Sequence, residues 1–249
     1  MQTVLFTALA VGGATVFGVV LGFLFKGLAD RFSDVVLAFA AGVMLSSSLA
    51  GLILPAFTYG GRMALFLVLS GVLLGSAFLM VVERLLPYPS FLEGEGQEKR
   101  GHKEWMGLLF VLAIAIHNLP EGIAAGVGFG TGDTGTALFI AGGIALQNLP
   151  EGMVIVAPMR KGGFSRKKTF LCAAGTGLLE IIGTFIGFFA VKASLTMLPF
   201  ALSFAGGIML YVVVFQMIPE SRMGKRPGLA AFALLFGVMT VLAADHLMG

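Results

Sequence analysis

Only 12% of this 249-residue chain is charged, and it holds one cysteine, one tryptophan and three histidines. Soluble domains carry about 25% charged residues, so this chain has too few ions to cover a surface in water. That scarcity excludes a disordered chain, a nucleic-acid-binding domain and a soluble enzyme. The lone Cys172 cannot close an internal disulfide and falls inside an apolar run, so it reads as a small core residue. The 36 glycines follow no G-X-Y period, which excludes collagen. What is abundant is apolar: 57% of residues are hydrophobic and the mean hydropathy is +0.97. Small residues let helix backbones approach each other in lipid. The composition is that of an all-α integral membrane protein.

A helix needs about 20 apolar residues to cross about 30 Å of hydrocarbon. Eight runs meet this: 4–25, 35–57, 63–86, 105–128, 136–159, 169–191, 195–217 and 227–246. Their connections are short except for 87–104, which is polar and charged. The reading is therefore one transmembrane domain over 1–249. The first run lacks the basic start of a signal peptide and is too long for one, so it is expected to be retained. One set of alternate connections holds 14 Lys and Arg, whereas the opposite set holds only Arg62 and Lys192. The positive-inside rule then puts 87–104 in the cytoplasm and both termini outside it, in the inner (plasma) membrane of the cell.

Two echoes run through the chain. The fourth span contains His117-Asn118-Leu119-Pro120-Glu121-Gly122, and the fifth contains Gln147-Asn148-Leu149-Pro150-Glu151-Gly152. The second span reads Phe39-Ala40-Ala41-Gly42-Val43-Met44-Leu45, then Pro55; the seventh reads Phe204-Ala205-Gly206-Gly207-Ile208-Met209-Leu210, then Pro219. The register slips by one residue between Met and Pro. Each echoed pair runs in opposite directions, so spans 1–3 and 6–8 are expected to form inverted repeats around a central pair 4–5. Inverted repeats with interrupted helices near the midplane are the architecture of secondary transporters.

Glu121, Glu151 and Glu180 lie deep in spans four, five and six, with no Lys or Arg at comparable depth. Each charge at such depth costs at least about 2.5–3.5 kcal/mol, so the carboxylates need a proton or a bound cation. The spacing favours the cation. His117 and Asn118 stand four and three residues before Glu121, which brings the three to one helix face; Gln147, Asn148 and Glu151 repeat this. Pro120 and Pro150 free the carbonyls of Ile116 and Leu146 and are expected to bend their helices. One imidazole, three carboxylates and three amides suit Zn²⁺, Fe²⁺, Co²⁺, Mn²⁺ or Cd²⁺ better than Ca²⁺ or Mg²⁺. Two divalent ions bridged by the carboxylates are electrostatically feasible. The bland alternatives are interhelical hydrogen bonding for a single Asn or Gln and a structural or proton-relay role for Glu180. Met44 and Met209 are candidate pathway residues at repeat-related positions. The other methionines read as core, His102 and His246 as solvated, and Trp105 as an interface anchor.

With HNLPEG on one span, QNLPEG on the next and a Glu on the one after, the sequence resembles the ZIP (Zrt-, Irt-like) family of divalent-metal transporters, prokaryotic branch. The resemblance covers the whole chain. It implies metal ligands at His117, Asn118, Glu121, Gln147, Asn148, Glu151 and Glu180. It also implies that Glu121 and Glu151 bridge two metals while Glu180 completes the second site. The mechanism it implies is alternating access toward the cytoplasm, in which spans one, four, five and six shift against two, three, seven and eight, often in a homodimer. The chain departs from the family pattern at Asn148, where some members are acidic, which weakens a second metal. It departs again at Phe215-Gln216, which leaves Glu220 as the remaining acidic candidate near a cytoplasmic exit. The connection 87–104 is often histidine-rich in the family and here holds only His102.

The expected function is transport of Zn²⁺ and other divalent transition metals into the cytoplasm, with the metal as substrate and no cofactor. The alternatives are a non-transporting metal sensor or scaffold, and an intramembrane metallo-hydrolase. The latter wants a dedicated general base and an open coordination position, whereas the motif here is HNxPE rather than HExxH. Protonation of the empty glutamates would couple metal entry to proton exit.

Overall fold

The computed structural model describes residues 1–25, 32–85, 100–129, 132, 134–222 and 224–248. They are helical almost throughout, with no strand among them. The helices are α1 (Gln2–Leu24), α2 (Ser33–Ser46), α3 (Leu54–Tyr59), α4 (Ala64–Leu85), α5 (Arg100–Gly128), α6 (Thr134–Lys161), α7 (Arg166–Ala193), α8 (Leu198–Val212), α9 (Ile218–Arg222) and α10 (Pro227–Met248). Among the described residues, seven helical stretches are long and apolar enough to cross a membrane. The expected connection 87–104 lies outside the described residues up to position 99, and α5 begins at Arg100, five residues before the apolar run.

Two stretches depart from regular α-helix. A π-helical segment, Ser47–Ile53, joins α2 to α3, and another, Val213–Met217, joins α8 to α9. Both fall between the Met and the Pro of the second echo, where the sequences slip by one residue. A π turn takes up an extra residue without ending a helix. α5 and α6 continue through Pro120 and Pro150.

The helices sort into two groups by what they pack against. α1, α5, α6 and α7 form one bundle, built mainly on the α5–α7 and α1–α6 faces; α2, α4, α8 and α10 form the other, built on α4–α8 and α2–α10. Contacts between the groups are sparser and run through α2–α6 and α5–α8. Glycine sets the distances inside each bundle. A methyl on Gly122 would stand 2.1 Å from the carbonyl oxygen of Glu180, and one on Gly152 would stand 2.2 Å from that of Thr15. In the second bundle, a methyl on Gly42 would stand 2.0 Å from the oxygen of Leu234, and one on Gly207 would stand 2.3 Å from that of Val72. Backbone meets backbone at each crossing, as small residues in membrane helices allow.

The outer faces are apolar. Leu65, Phe66, Leu69 and Leu73 on α4 and Phe232, Phe236 and Met239 on α10 are exposed. Apolar faces on this scale are incompatible with water and fit lipid. At one end of the molecule Asp34, buried at the start of α2, accepts from the backbone N–H of Val35 and of Arg226, both at 3.0 Å, and faces the Arg226 guanidinium at 3.9 Å. Asp34 thereby ties the turn before α10 to α2. Hydrogen bonds to charged groups contribute about 1.5–3 kcal/mol, so Asp34→Ala is expected to destabilise the protein by about that much, read as a lowered unfolding temperature in detergent.

Candidate metal site

Three carboxylates and three amides converge inside the first bundle. α5 supplies Asn118 and Glu121, α6 supplies Gln147, Asn148 and Glu151, and α7 supplies Glu180. All six are buried. Glu121 and Glu180 have no exposed surface, whereas Glu151 keeps 9%, which makes it the least buried of the three carboxylates. The NLPEG repeat produces this: each motif puts its Asn and Glu on one face of its helix, and Gly122 and Gly152 let α7 and α1 close against those turns.

The hydrogen bonds divide the cluster. Gln147 Nε2 donates to Glu121 Oε1 at 2.8 Å. Glu180 accepts three bonds: from Thr15 Oγ1 at 2.8 Å, from Asn118 Nδ2 on the same Oε1, and from Asn148 Nδ2 at 2.8 Å on Oε2. Asn148 Nδ2 also reaches the carbonyl of Val11 at 3.2 Å. Left over are Asn118 Oδ1, Glu121 Oε2, Gln147 Oε1 and Asn148 Oδ1, all buried and all without a hydrogen-bond partner. Buried polar atoms are nearly always paired, and each exception calls for an explanation. These four are acceptors on four candidate ligand residues, a donor set that suits a cation. No three described His, Cys, Asp or Glu side chains are by themselves arranged to hold a metal; the amide oxygens are the further acceptors that the described residues offer. The side chains of His117, His102 and Trp105 lie outside the described ones.

The remaining candidates fall elsewhere. Met44 and Met209 are fully buried within the larger apolar core. Glu220 sits on α9, which packs on α2, and its side chain is exposed. Cys172 is half-buried against the smaller apolar cluster, and His246 is exposed.

Two residues escaped the reading of the sequence. Thr15 is not among the residues that the sequence points to, yet it bonds Glu180. The signal was present: Gly12-x-x-Thr15-x-x-Gly18 on α1 matches Gly177-x-x-Glu180-x-x-Gly183 on α7. Ser47 is the other. It opens the first π segment, its hydroxyl is buried without a partner, and a methyl on Gly143 of α6 would stand 2.3 Å from it. No pattern in the sequence singles it out from its neighbours Ser46 and Ser48.

Long apolar helices with lipid-compatible outer faces and a carboxylate–amide cluster at the heart of one bundle define a multi-pass helical membrane protein. Comparison places it further: residues 90–245 match the profile of the ZIP zinc transporters, and the chain belongs to that family. It is 38% identical to zinc transporter GufA of Myxococcus xanthus over 192 residues, 77% of this chain and 75% of that protein. It is 32% identical to zinc transporter ZIPB of Bordetella bronchiseptica, covering 95% of this chain and 78% of that one. It is 30% identical to human zinc transporter ZIP11, covering 95% and 94%. These relatives are transporters rather than enzymes, which removes the metallo-hydrolase alternative.

Proposed function

We propose that the chain carries Zn²⁺ and related divalent transition metals across the plasma membrane into the cytoplasm, by alternating access through the cluster of His117, Asn118, Glu121, Gln147, Asn148, Glu151 and Glu180. The observation that carries this reading is the set of four buried, unpartnered acceptor oxygens on Asn118, Glu121, Gln147 and Asn148. A purely structural role would pair these oxygens with protein donors. A dehydrated cation instead needs acceptors that nothing else occupies. The ligand types accept most first-row divalent ions, so selectivity follows geometry and availability rather than ligand identity.

The architecture proposed is eight spans in inverted repeats, with α5 as the fourth span, over a single domain 1–249. Its support is the recurrence of contacts at fixed offsets. A methyl on Gly18 would meet the Leu149 oxygen and one on Gly183 that of Leu119; methyls on Gly22 and Gly187 would meet the oxygens of Met153 and Ile123. Positions 18 and 22 are each 165 residues from 183 and 187, and 119 and 123 are each 30 from 149 and 153. Gly12 and Gly177, again 165 apart, face each other's carbonyls. Alternating access then moves α1, α5, α6 and α7 as one body against the other group across the sparser contacts. The 14 Lys and Arg on one set of connections favour a cytoplasmic 87–104 connection and external termini. The apolar faces of α4 and α10 meet lipid or, in a homodimer, a second copy.

The test is uptake of ⁶⁵Zn²⁺ into proteoliposomes by the wild type and by Glu121→Ala/Glu151→Ala. Saturable uptake by the wild type and background uptake by the double variant is expected. Normal metal binding without uptake would favour a sensor, and equal uptake by both would remove the site.

A further inference from the structure

Both oxygens of Glu180 accept hydrogen bonds from described residues, whereas Glu121 has one oxygen without a partner. We infer that Glu180 is a positioning residue, not a metal ligand: with Thr15 behind it, it turns the amides of Asn118 and Asn148 so that their oxygens face a single cation. This rests on the transport site proposed above.

An ionised carboxylate only accepts hydrogen bonds, so it selects the nitrogen end of any amide that approaches it. Oε1 takes Asn118 Nδ2 and Oε2 takes Asn148 Nδ2, at 2.8 Å for the latter. Each amide carries its oxygen on the same carbon as its nitrogen, and both oxygens are left buried and unpartnered. They join Glu121 Oε2 and Gln147 Oε1, which are unpartnered in the same way. Gln147 repeats the logic on a smaller scale, because its nitrogen is fixed by Glu121 and its oxygen is freed. In each case an anion orients a neutral ligand, as partners behind a metal's direct ligands commonly do.

Thr15 completes the arrangement. Its hydroxyl gives Oε1 a second donor at 2.8 Å, so Glu180 collects donors from α1, α5 and α6 while itself belonging to α7. One carboxylate thus touches all four helices of the bundle. The G-x-x-x-x-x-G match puts Thr15 at the position in α1 that Glu180 holds in α7, so a donor stands where a repeat of the acid would have stood. Three neutral donors solvate the charge of Glu180 without cancelling it, which leaves Glu121 and Glu151 as the two carboxylates offered to a divalent ion.

The experiment has two arms on the full-length protein. Crystals grown with Zn²⁺ are measured at the zinc absorption edge. One anomalous peak bonded to Asn118 and Asn148 oxygens, with Glu180 beyond the roughly 2.2 Å of a zinc–carboxylate bond, is expected. A zinc bonded to Glu180, or two peaks in the cluster, overturns the inference while leaving the transport site intact; no peak there removes both. In the second arm Zn²⁺ is titrated into Thr15→Val and Thr15→Ser. Loss of a supporting partner lowers metal affinity by about 10–100-fold, so Thr15→Val is expected to bind at least tenfold more weakly. Thr15→Ser, which restores the hydroxyl, is expected to bind within about threefold of the wild type. Equal binding by Thr15→Val and wild type overturns the role given to Thr15, as does weakened binding that Thr15→Ser fails to rescue.

Discussion

Glu121→Gln is expected to lower the initial rate of zinc uptake in proteoliposomes by at least about 100-fold, equivalent to about 2.7 kcal/mol of lost stabilisation. Glu121 is fully buried, with Oε1 held by Gln147 and Oε2 bound to nothing in the protein. The substitution conserves volume, so neither a cavity nor a packing change accompanies it. It removes one of the two charges left to balance a divalent ion, and it offers Gln147 a donor where it had an acceptor. Both effects act on the bound ion, and neither acts on the helix contacts. Unfolding in detergent is accordingly expected to be unchanged or shifted upward, because a buried charge has been removed. A variant that transports zinc at the wild-type rate would show that Glu121 is no ligand. One that unfolds tens of degrees early would show that its role is structural.

Gly122→Ala, one residue away, is expected to fail for the opposite reason. The added methyl would stand 2.1 Å from the Glu180 oxygen and 2.8 Å from its Cα. Both belong to backbone, so no rotamer change relieves the contact and α7 must move away from α5 by more than an ångström. Overpacking costs about 1–3 kcal/mol where side chains can adjust, and more where they cannot, which places this substitution at about 3 kcal/mol or above. The expected readout is a lowered unfolding temperature together with lost zinc binding, since the displaced turn carries Glu180 with it. Gly175→Ala is the control. Nothing lies within 4 Å of that position, and replacing glycine by alanine within a helix is worth about 0.5–1 kcal/mol in stability. An unaltered Gly122→Ala protein would mean that the two helices are further apart than described.

Much of this was legible in the residues because lipid imposes simple rules. Apolar runs gave helices of the expected length, and the two NLPEG copies marked the turns that hold Asn118, Glu121, Asn148 and Glu151. What escaped had no local signature. The π segments arise where two helices of unequal residue count must keep matching crossings, and a one-residue slip hints at this without giving its geometry. Pro120 and Pro150 lie inside continuous helices, α5 and α6, whereas the π segments lie in the other bundle. Thr15 is obscured for a different reason: a threonine among glycines reads as small-residue packing, and only the match to the turn of Glu180, 165 residues on, points to its task. Ser47 likewise acquires meaning only beside Gly143.

The glycine crossings have a consequence for how variation in such a chain is interpreted. A saturation-mutagenesis map scored on growth would give Gly18, Gly42, Gly122, Gly183 and Gly207 the same intolerance as Glu121, since each faces a backbone carbonyl at under 2.5 Å from an added methyl. Two of those five, Gly42 and Gly207, lie in the bundle that holds no carboxylate of the cluster. Intolerance would therefore trace two seams running the depth of the membrane, with the zinc ligands as a short stretch of one. Separating the two kinds of position needs protein abundance scored alongside growth: seam variants would lose both, and ligand variants would lose growth alone.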